Sequence, residues 1–142
     1  MKKKRRRNKG FTIVELLVVA IILAMLAGFI VPGVFQKLSK AKTDIARSKI
    51  AVIESSLQQF AIDCGRMPTD DEGLEALLTP PPELEEKWAG KYLKDSLIID
   101  PWDNPYQYYS DGRVNVGSYD IVSLGADGKE GGEGENADIV ND

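Results

Sequence analysis

Oxygen-bearing side chains crowd the C-terminal loop of this chain, where five of the ten residues from 125 to 134 are glycine. Calcium takes about six to eight oxygen ligands from carboxylates and backbone carbonyls. A bound cation would offset both the backbone entropy lost by the glycines and the mutual repulsion of the carboxylates. The spacing does not match an EF-hand, so the residues alone leave a solvated acidic loop as the alternative. The side chains in question are Asp127, Glu130, Glu133, Glu135, Asn136 and Asp138.

The same carboxylates invite an enzymatic interpretation, because two of them could act as acid and base in glycoside hydrolysis. The sequence around them shows no apolar pocket that would raise the pKa of one partner. The chain also has no His, which is the commonest general base and transition-metal ligand, and its single Cys64 cannot form an internal disulfide. We therefore expect no enzymatic activity.

One acidic residue lies far from this loop, in the apolar segment from Phe11 to Phe35. A helix of these 25 residues would extend roughly 37 Å, enough for a bilayer core of about 30 Å. Seven of the nine residues before Gly10 are Lys or Arg, which places that end in the cytoplasm. Glu15 is the only charge in the segment, and a carboxylate in the bilayer centre costs about 2.5–3.5 kcal/mol on insertion scales.

Two ordinary interpretations of this segment fail. A secretory signal peptide has an apolar core of about 7–15 residues and a small-residue cleavage site. The present core is longer, and residues 24–28 match such a site poorly. A plain membrane anchor fits the length but leaves Glu15 unexplained.

The start of the chain is basic, whereas the remainder is acidic. The chain as a whole carries −4, but loss of residues 1–10 leaves 11 Lys and Arg against 22 Asp and Glu, a net charge of −11. Such an acidic protein is not expected to bind nucleic acid, and the basic run is interpreted as a topology signal.

Hydrophobic periodicity predicts one helix of about 50 residues, because apolar residues continue at three- and four-residue steps up to Cys64. Gly65 is a natural stop. The apolar stripe of the second half comprises Leu38, Ala41, Ile45, Ala46, Ile50, Ile53, Leu57, Phe60 and Ala61.

Shorter elements come after this helix. Thr69 to Glu72 has the pattern of a capping box, which predicts a short helix over about 70–78. Residues 97–99 read as a short extended piece before a tight turn. Residues 106–109 and 119–124 have the content of strands, and Asp111-Gly112 between them is a hairpin signal.

The first residues also carry a family resemblance. A basic leader, Gly10, Phe11, Thr12, Glu15 and a long apolar helix together resemble the class III signal of type IV pilins and pseudopilins. The resemblance implies that a prepilin peptidase cuts between Gly10 and Phe11 and methylates the new amino terminus. The resulting amine would lie four residues before Glu15, on the same helix face. In a filament, the amine of an incoming subunit could then meet the Glu15 of a neighbour.

The C-terminal half indicates which branch of this superfamily the chain resembles. Residues 100–110, DPWDNPYQYYS, and 119–139, YDIVSLGADGKEGGEGENADI, are similar to the major pseudopilins of type II secretion systems. Asp103 stands where that family commonly has glycine. True type IV pilins usually close this region with a disulfide, which a single Cys does not allow. A major or minor subunit of a type IV pilus, or a membrane-anchored calcium-binding module, remains the alternative.

The resemblance implies an α+β, type IV pilin-like fold. In that fold a long N-terminal helix, half of it transmembrane, packs on a small antiparallel β-sheet domain with a calcium-binding C-terminal loop. The expected divisions are a leader at 1–10, a transmembrane and assembly helix at 11–35, and a periplasmic domain at 36–142. Within that domain, 36–64 is the amphipathic helix and 97–142 holds the sheet and calcium loop.

The implied role is structural. Subunits leave the bacterial inner membrane, where they are single-pass with the C-terminal domain in the periplasm, and stack into a helical homo-oligomeric filament. A cytoplasmic ATPase drives growth through an inner-membrane assembly platform, and the filament pushes folded substrates through an outer-membrane secretin. Minor pseudopilins are further expected partners.

The resemblance also implies a structural Ca²⁺ in the C-terminal loop. Asp127 is the first expected ligand and Glu135 the second. The remaining candidates are the backbone carbonyls of Leu124 and Lys129 and the side chains of Glu133, Asn136 and Asp138.

Overall fold

The computed structural model describes residues 10–142, and the side chains of 29–33 and 35 lie outside that description. The basic leader before Gly10 also lies outside the described residues. The chain divides between Lys37 and Leu38 into two compact units. The main elements are helix α1 (Ile13–Cys64) and strands β1 (Gln107–Tyr109), β2 (Asp120–Ser123) and β3 (Ile139–Val140).

The first unit holds the start of α1, and the large apolar side chains described there are exposed to solvent. Exposed large residues occur at nearly every position from Ile13 to Leu26. Within the residues that are described, no helix combines the length and apolar content needed to cross a membrane. The expected span of 11–35 includes residues 29–33 and 35, whose side chains are not described.

The second unit buries one stripe of α1 in its core. The predicted long helix is confirmed, and it ends at Cys64 because Gly65 takes a φ of +80°, which favours glycine. The predicted stripe is wrong at its start, since Leu38, Ala41 and Ile45 are exposed. The buried apolar residues in the described part of the helix are Ala46, Ile50, Ile53, Leu57, Phe60 and Cys64.

The segment after α1 has the expected turn chemistry. Thr69 N donates to Glu72 Oε2 at 2.8 Å, and Glu72 N donates to Thr69 Oγ1 at 3.3 Å, which is the reciprocal capping box. Arg66 holds the same carboxylate at 2.6 Å and lowers the pKa of Glu72 to about 2. The short helix expected over 70–78 is a 3₁₀ helix, Gly73–Leu77, which buries Leu74 and Leu77.

The extended piece expected at 97–99 differs from the structure. A 3₁₀ helix, Asp95–Leu97, reaches into its start, and only Ile99 forms a β-bridge, to Pro105. The bridge closes the tight turn between these two residues.

The three strands form one antiparallel sheet in the order β1-β2-β3. The predicted hairpin is confirmed, with Tyr108 opposite Ile121 on the buried face. Ile139 lies opposite Ser123 and brings the end of the chain back to the sheet. Tyr106 donates its hydroxyl to the carbonyl of Ala46 on α1 at 3.1 Å, which ties the start of β1 to the helix.

A buried carboxylate shapes the loop of this hairpin. Asp120 is only 1% exposed and accepts backbone N–H groups of Arg113, Val114 and Asn115 at 2.6–2.9 Å. Burial alone would raise the pKa of Asp120, but these donors outweigh it and hold the pKa below its usual range. The loop is therefore held from within by one carboxylate.

Candidate functional site

The start of α1 is a second capping box, between Thr12 and Glu15. Thr12 N and Oγ1 donate to Glu15 Oε2 at 2.8 and 3.0 Å, and Glu15 N donates to Thr12 Oγ1 at 3.2 Å. Two of these bonds satisfy backbone N–H groups that a helix start otherwise leaves unpaired, and the third joins the two side chains. The negative charge also lies at the positive end of the helix dipole. Glu15 therefore stabilises the start of its own helix, in addition to any role between subunits.

The residues expected to be processed, Gly10 and Phe11, lie directly before this box in the chain. Gly10 and Phe11 are exposed, and Phe11 is 80% exposed. We did not foresee the capping role of Thr12 from the sequence, although the same Thr-x-x-Glu pattern predicts the box at Thr69 and would have revealed it. The family resemblance implies only an assembly role for Glu15 and says nothing of its bonds to Thr12.

After this box, α1 is apolar on all sides and uncovered as far as Leu26. Each fully buried Val, Leu or Ile stabilises a structure by about 1.5–3 kcal/mol relative to leaving it exposed. A surface of this extent favours packing against lipid or against other helices. The exposed members up to Leu26 are Ile13, Val14, Leu16, Leu17, Val18, Val19, Ile21, Ile22, Leu23, Met25 and Leu26.

The C-terminal loop brings its two ends together. Ala126 N donates to the carbonyl of Glu135 at 2.8 Å. A side chain at Gly125, whose φ is +63°, would stand 2.6 Å from the same carbonyl oxygen. At Gly132 a Cβ would lie 2.6 Å from the carbonyl oxygen of Asn136. Glycine is required at both positions because backbone passes closely against backbone.

The predicted ligands lie on this loop with different local roles. Asp127 is exposed, and its Oδ1 accepts Lys129 N at 3.2 Å. Asp138 is also exposed, and its Oδ2 accepts Gly131 N at 2.8 Å. Leu124 is buried and directly follows β2. Glu133, Glu135 and Asn136 are exposed around a 3₁₀ helix, Gly134–Asn136.

The candidate ligand atoms of this loop are oxygens, the type that calcium takes and a soft metal does not. These donors are carboxylate, amide and carbonyl oxygens, which suit a hard dication. Among residues 10–142, no three His, Cys, Asp or Glu side chains lie close enough together to form a preformed metal cluster. A calcium ion here would therefore rely on backbone carbonyls and on carboxylates drawn inward from the surface.

The DPWDNPY turn fixes the base of this loop. Asp100 is 2% exposed, and its Oδ1 accepts Trp102 N and Asn104 N at 2.9 Å each. Its Oδ2 accepts the hydroxyl of Ser123 at 2.6 Å. Asn104 Nδ2 then donates to the carbonyl of Gly125 at 2.8 Å. In the sequence this motif carries only a family resemblance, and its contact with the loop was not foreseen.

The backbone of this turn is strained at Asp103. Asp103 has a φ of +67°, a backbone conformation that favours glycine, the residue that the resemblance to the pseudopilins implies at this position. Asp tolerates this region better than most residues but still bears strain.

Comparisons with known proteins cover nearly the whole chain. The family described as type II secretion system protein G matches residues 33–142, and the prokaryotic N-terminal methylation motif matches residues 5–31. The type II secretion system core protein G of Vibrio cholerae is 45% identical over 141 residues, which cover 98% of this chain and 94% of that protein. Its counterpart from Pseudomonas aeruginosa is 42% identical, with 97% of each chain covered.

A solved structure agrees with these relatives. The major pseudopilin from the type 2 secretion system of enterohaemorrhagic Escherichia coli superposes with a TM-score of 0.61 at 30% identity, covering 74% of this chain and 90% of that one. The long helix, the small antiparallel sheet and the sequence relatives all lead to one assignment. The chain belongs to the protein G family of the type II secretion system, the family of the major pseudopilins.

Proposed function

We propose that this protein is the repeating subunit of a pseudopilus, a periplasmic filament that drives export of folded proteins through type II secretion. The uncovered apolar surface of α1 from Ile13 to Leu26 carries the proposal. Such a surface has a use only when the helix lies in lipid or packs against other helices. From the family membership we infer that these helices stack in a filament.

Before assembly, we propose that residues 11–35 hold the subunit in the inner membrane as a single span. The apolar length of the segment suits a bilayer, and the basic leader keeps the amino terminus in the cytoplasm. The acidic C-terminal domain then lies in the periplasm. The partners that we propose from the family resemblance are minor pseudopilins, an inner-membrane assembly platform and an outer-membrane secretin.

Maturation is the second part of the proposal. The match to the methylation motif supports cleavage by a prepilin peptidase between Gly10 and Phe11, followed by methylation of Phe11. Cleavage creates a cationic amine with a reference pKa of about 7.7–8.0 close to Glu15. In a filament, the amine of one subunit and the Glu15 of its neighbour would each offset the other's charge in an apolar environment.

Replacing Glu15 also removes a helix cap, so any test of Glu15 must separate the loss of the cap from the loss of the charge pair. Loss of a helix cap costs about 0.5–2 kcal/mol, whereas leaving one partner of a buried ion pair alone costs about 3–5 kcal/mol. Thr12→Ala removes the hydroxyl of the box and keeps the carboxylate, so it is the matched control for Glu15→Val.

The experiment compares filaments in cells that express the assembly machinery. We expect both variants to be processed and inserted, as judged by mass spectrometry of membrane fractions. Electron microscopy of sheared filaments should then show Thr12→Ala filaments near the wild-type level and almost none from Glu15→Val. Equal yields from the two variants would mean that Glu15 acts only as a cap, and normal Glu15→Val filaments would refute the charge pair.

We further propose a structural Ca²⁺ in the C-terminal loop, held by Asp127 and Glu135 with the carbonyls of Leu124 and Lys129. Glu133, Asn136 and Asp138 are further candidates for the coordination shell. The donor chemistry supports this, as does the close approach of the loop ends, since residues at both ends could reach one ion. When bound, the ion would neutralise the carboxylates and hold the loop against the sheet.

Thermal unfolding of the full mature chain in detergent tests the ion. At a calcium concentration of 100 Kd, binding stabilises the folded state by about 2.7 kcal/mol. We expect calcium to raise the Tm of the wild type but not that of Asp127→Ala, with Asp71→Ala, an exposed carboxylate outside the loop, as the control. Identical curves in calcium and in chelator would leave only a solvated acidic loop.

A further inference from the structure

Asn104 lies outside the C-terminal loop but contacts it at two points. Its Nδ2 donates to the carbonyl of Gly125 at 2.8 Å, at the first turn of the loop. Its Oδ1 stands 3.3 Å from where a Cβ would be at Gly128, so the amide and the loop backbone are packed closely. One side chain therefore bonds the backbone before Asp127, the first expected calcium ligand, and lies close to the backbone after it.

The position of Asn104 is itself fixed from the core. Its backbone N donates to the buried carboxylate of Asp100 at 2.9 Å, and its carbonyl accepts Asp100 N at 2.8 Å. The other oxygen of Asp100 binds the hydroxyl of Ser123, at the end of β2. Gly125 N lies 3.4 Å from that same hydroxyl oxygen. The turn, the strand end and the loop start thus form one connected set of hydrogen bonds.

We propose that Asn104 is a positioning residue for calcium, which sets the backbone around Asp127 before the ion binds. The inference rests on the calcium proposal above and does not make Asn104 a ligand. Glycine-rich loops lose much conformational entropy on ordering. A contact that orders part of the loop in advance lowers the cost of ion binding and so raises the calcium affinity. Asn104 supplies such a contact, and Asp100 holds it in place.

Calorimetric titration of the full mature chain in detergent with calcium chloride tests the proposal. Asn104→Ala removes the contact with the Gly125 carbonyl and leaves the backbone bonds to Asp100 available. Loss of one such hydrogen bond should weaken calcium binding about 3- to 10-fold. The matched control is Gln59→Ala, which also deletes an amide but one bonded only to Asp63 on the surface of α1. Its affinity should equal that of the wild type.

A second variant and a second measurement separate positioning from mere stability. Asn104→Ser keeps a polar residue in the turn but is too short to reach Gly125, so it should also weaken binding. Both variants should lower the Tm more in calcium than in chelator, because part of the ion's stabilisation is lost.

The contrary outcomes are distinct. Equal drops in Tm in calcium and in chelator, with an unchanged Kd, would give Asn104 a structural role only and overturn the inference. A wild type that binds no calcium would overturn the calcium proposal and this inference with it.

Discussion

Gly125→Ala should show how closely the C-terminal loop is packed at its base. The new Cβ would stand 2.6 Å from the carbonyl oxygen of Glu135 and 2.9 Å from the carbonyl carbon of Asn136. Both atoms belong to backbone, so neither can move aside as a flexible side chain would. The substitution must therefore displace one end of the loop from the other.

Gly134→Ala supplies the control for the backbone strain. Its φ is +65°, against +63° at Gly125, but no neighbouring atom lies within 4 Å of the added Cβ. Left-handed backbone costs an alanine about 1–2 kcal/mol, and a stiffer unfolded chain returns about 0.4–1 kcal/mol. We expect a net loss of about 1 kcal/mol for this variant.

Gly125→Ala carries the same strain and two further costs. Crowding in a packed site costs about 1–3 kcal/mol, and loss of the Ala126–Glu135 hydrogen bond costs about 1 kcal/mol. At about 4 °C per kcal/mol for a unit of this size, its Tm should lie about 8 °C or more below that of Gly134→Ala.

The assay is thermal unfolding of the full chain monitored by circular dichroism, in calcium and in chelator. If calcium binds where we propose, Gly125→Ala should also lose most of the calcium-dependent rise in Tm. Equal Tm values for the two variants would refute the close packing of the loop ends.

Two further predictions concern the turn and the segment after α1. Asp103→Gly should raise stability by about 0.5–1 kcal/mol because glycine accepts the positive φ, while Asp103→Ala should lower it; a lower Tm for Asp103→Gly would contradict the strain. Because folding lowers the pKa of Glu72, its contribution is present above the unfolded value of about 4.5 and is lost as the pH falls towards 2. Glu72→Gln should therefore lower the Tm at pH 7 by an amount that corresponds to about 1–3 kcal/mol, and the difference should shrink with acid. A gap that is the same at pH 7 and pH 3 would show that the charge is not responsible.

The long helix and the hairpin were predictable because each has a local signal. Helical periodicity that continues up to Cys64, and Gly65 after it, predict α1, and the Asp111-Gly112 pair marks the hairpin. The exposure of Leu38 and Ile45 was not predictable in the same way. Helical periodicity shows that a face is apolar, but the extent of the domain that covers it is decided by the remainder of the fold.

The buried carboxylates show a second limit of the sequence. Asp100 and Asp120 resemble any other aspartate in a turn, yet both accept several hydrogen bonds in the interior. Their partners are mainly backbone N–H groups, which every residue type except proline offers, so no spacing of side chains reveals them. β3, with only Ile139 and Val140, is likewise too short to produce a recognisable pattern.

The amino terminus of the protein made in its own host tests the proposed role as a pseudopilus subunit most directly. Intact mass and terminal sequencing of the membrane-extracted chain would identify the first residue of the mature protein. We predict a chain that lacks residues 1–10 and begins with N-methylated Phe11. A chain that keeps its leader would indicate a plain anchor, and one that begins at Gly28 or Phe29 would indicate a secretory signal peptide; either would contradict the proposed maturation and assembly.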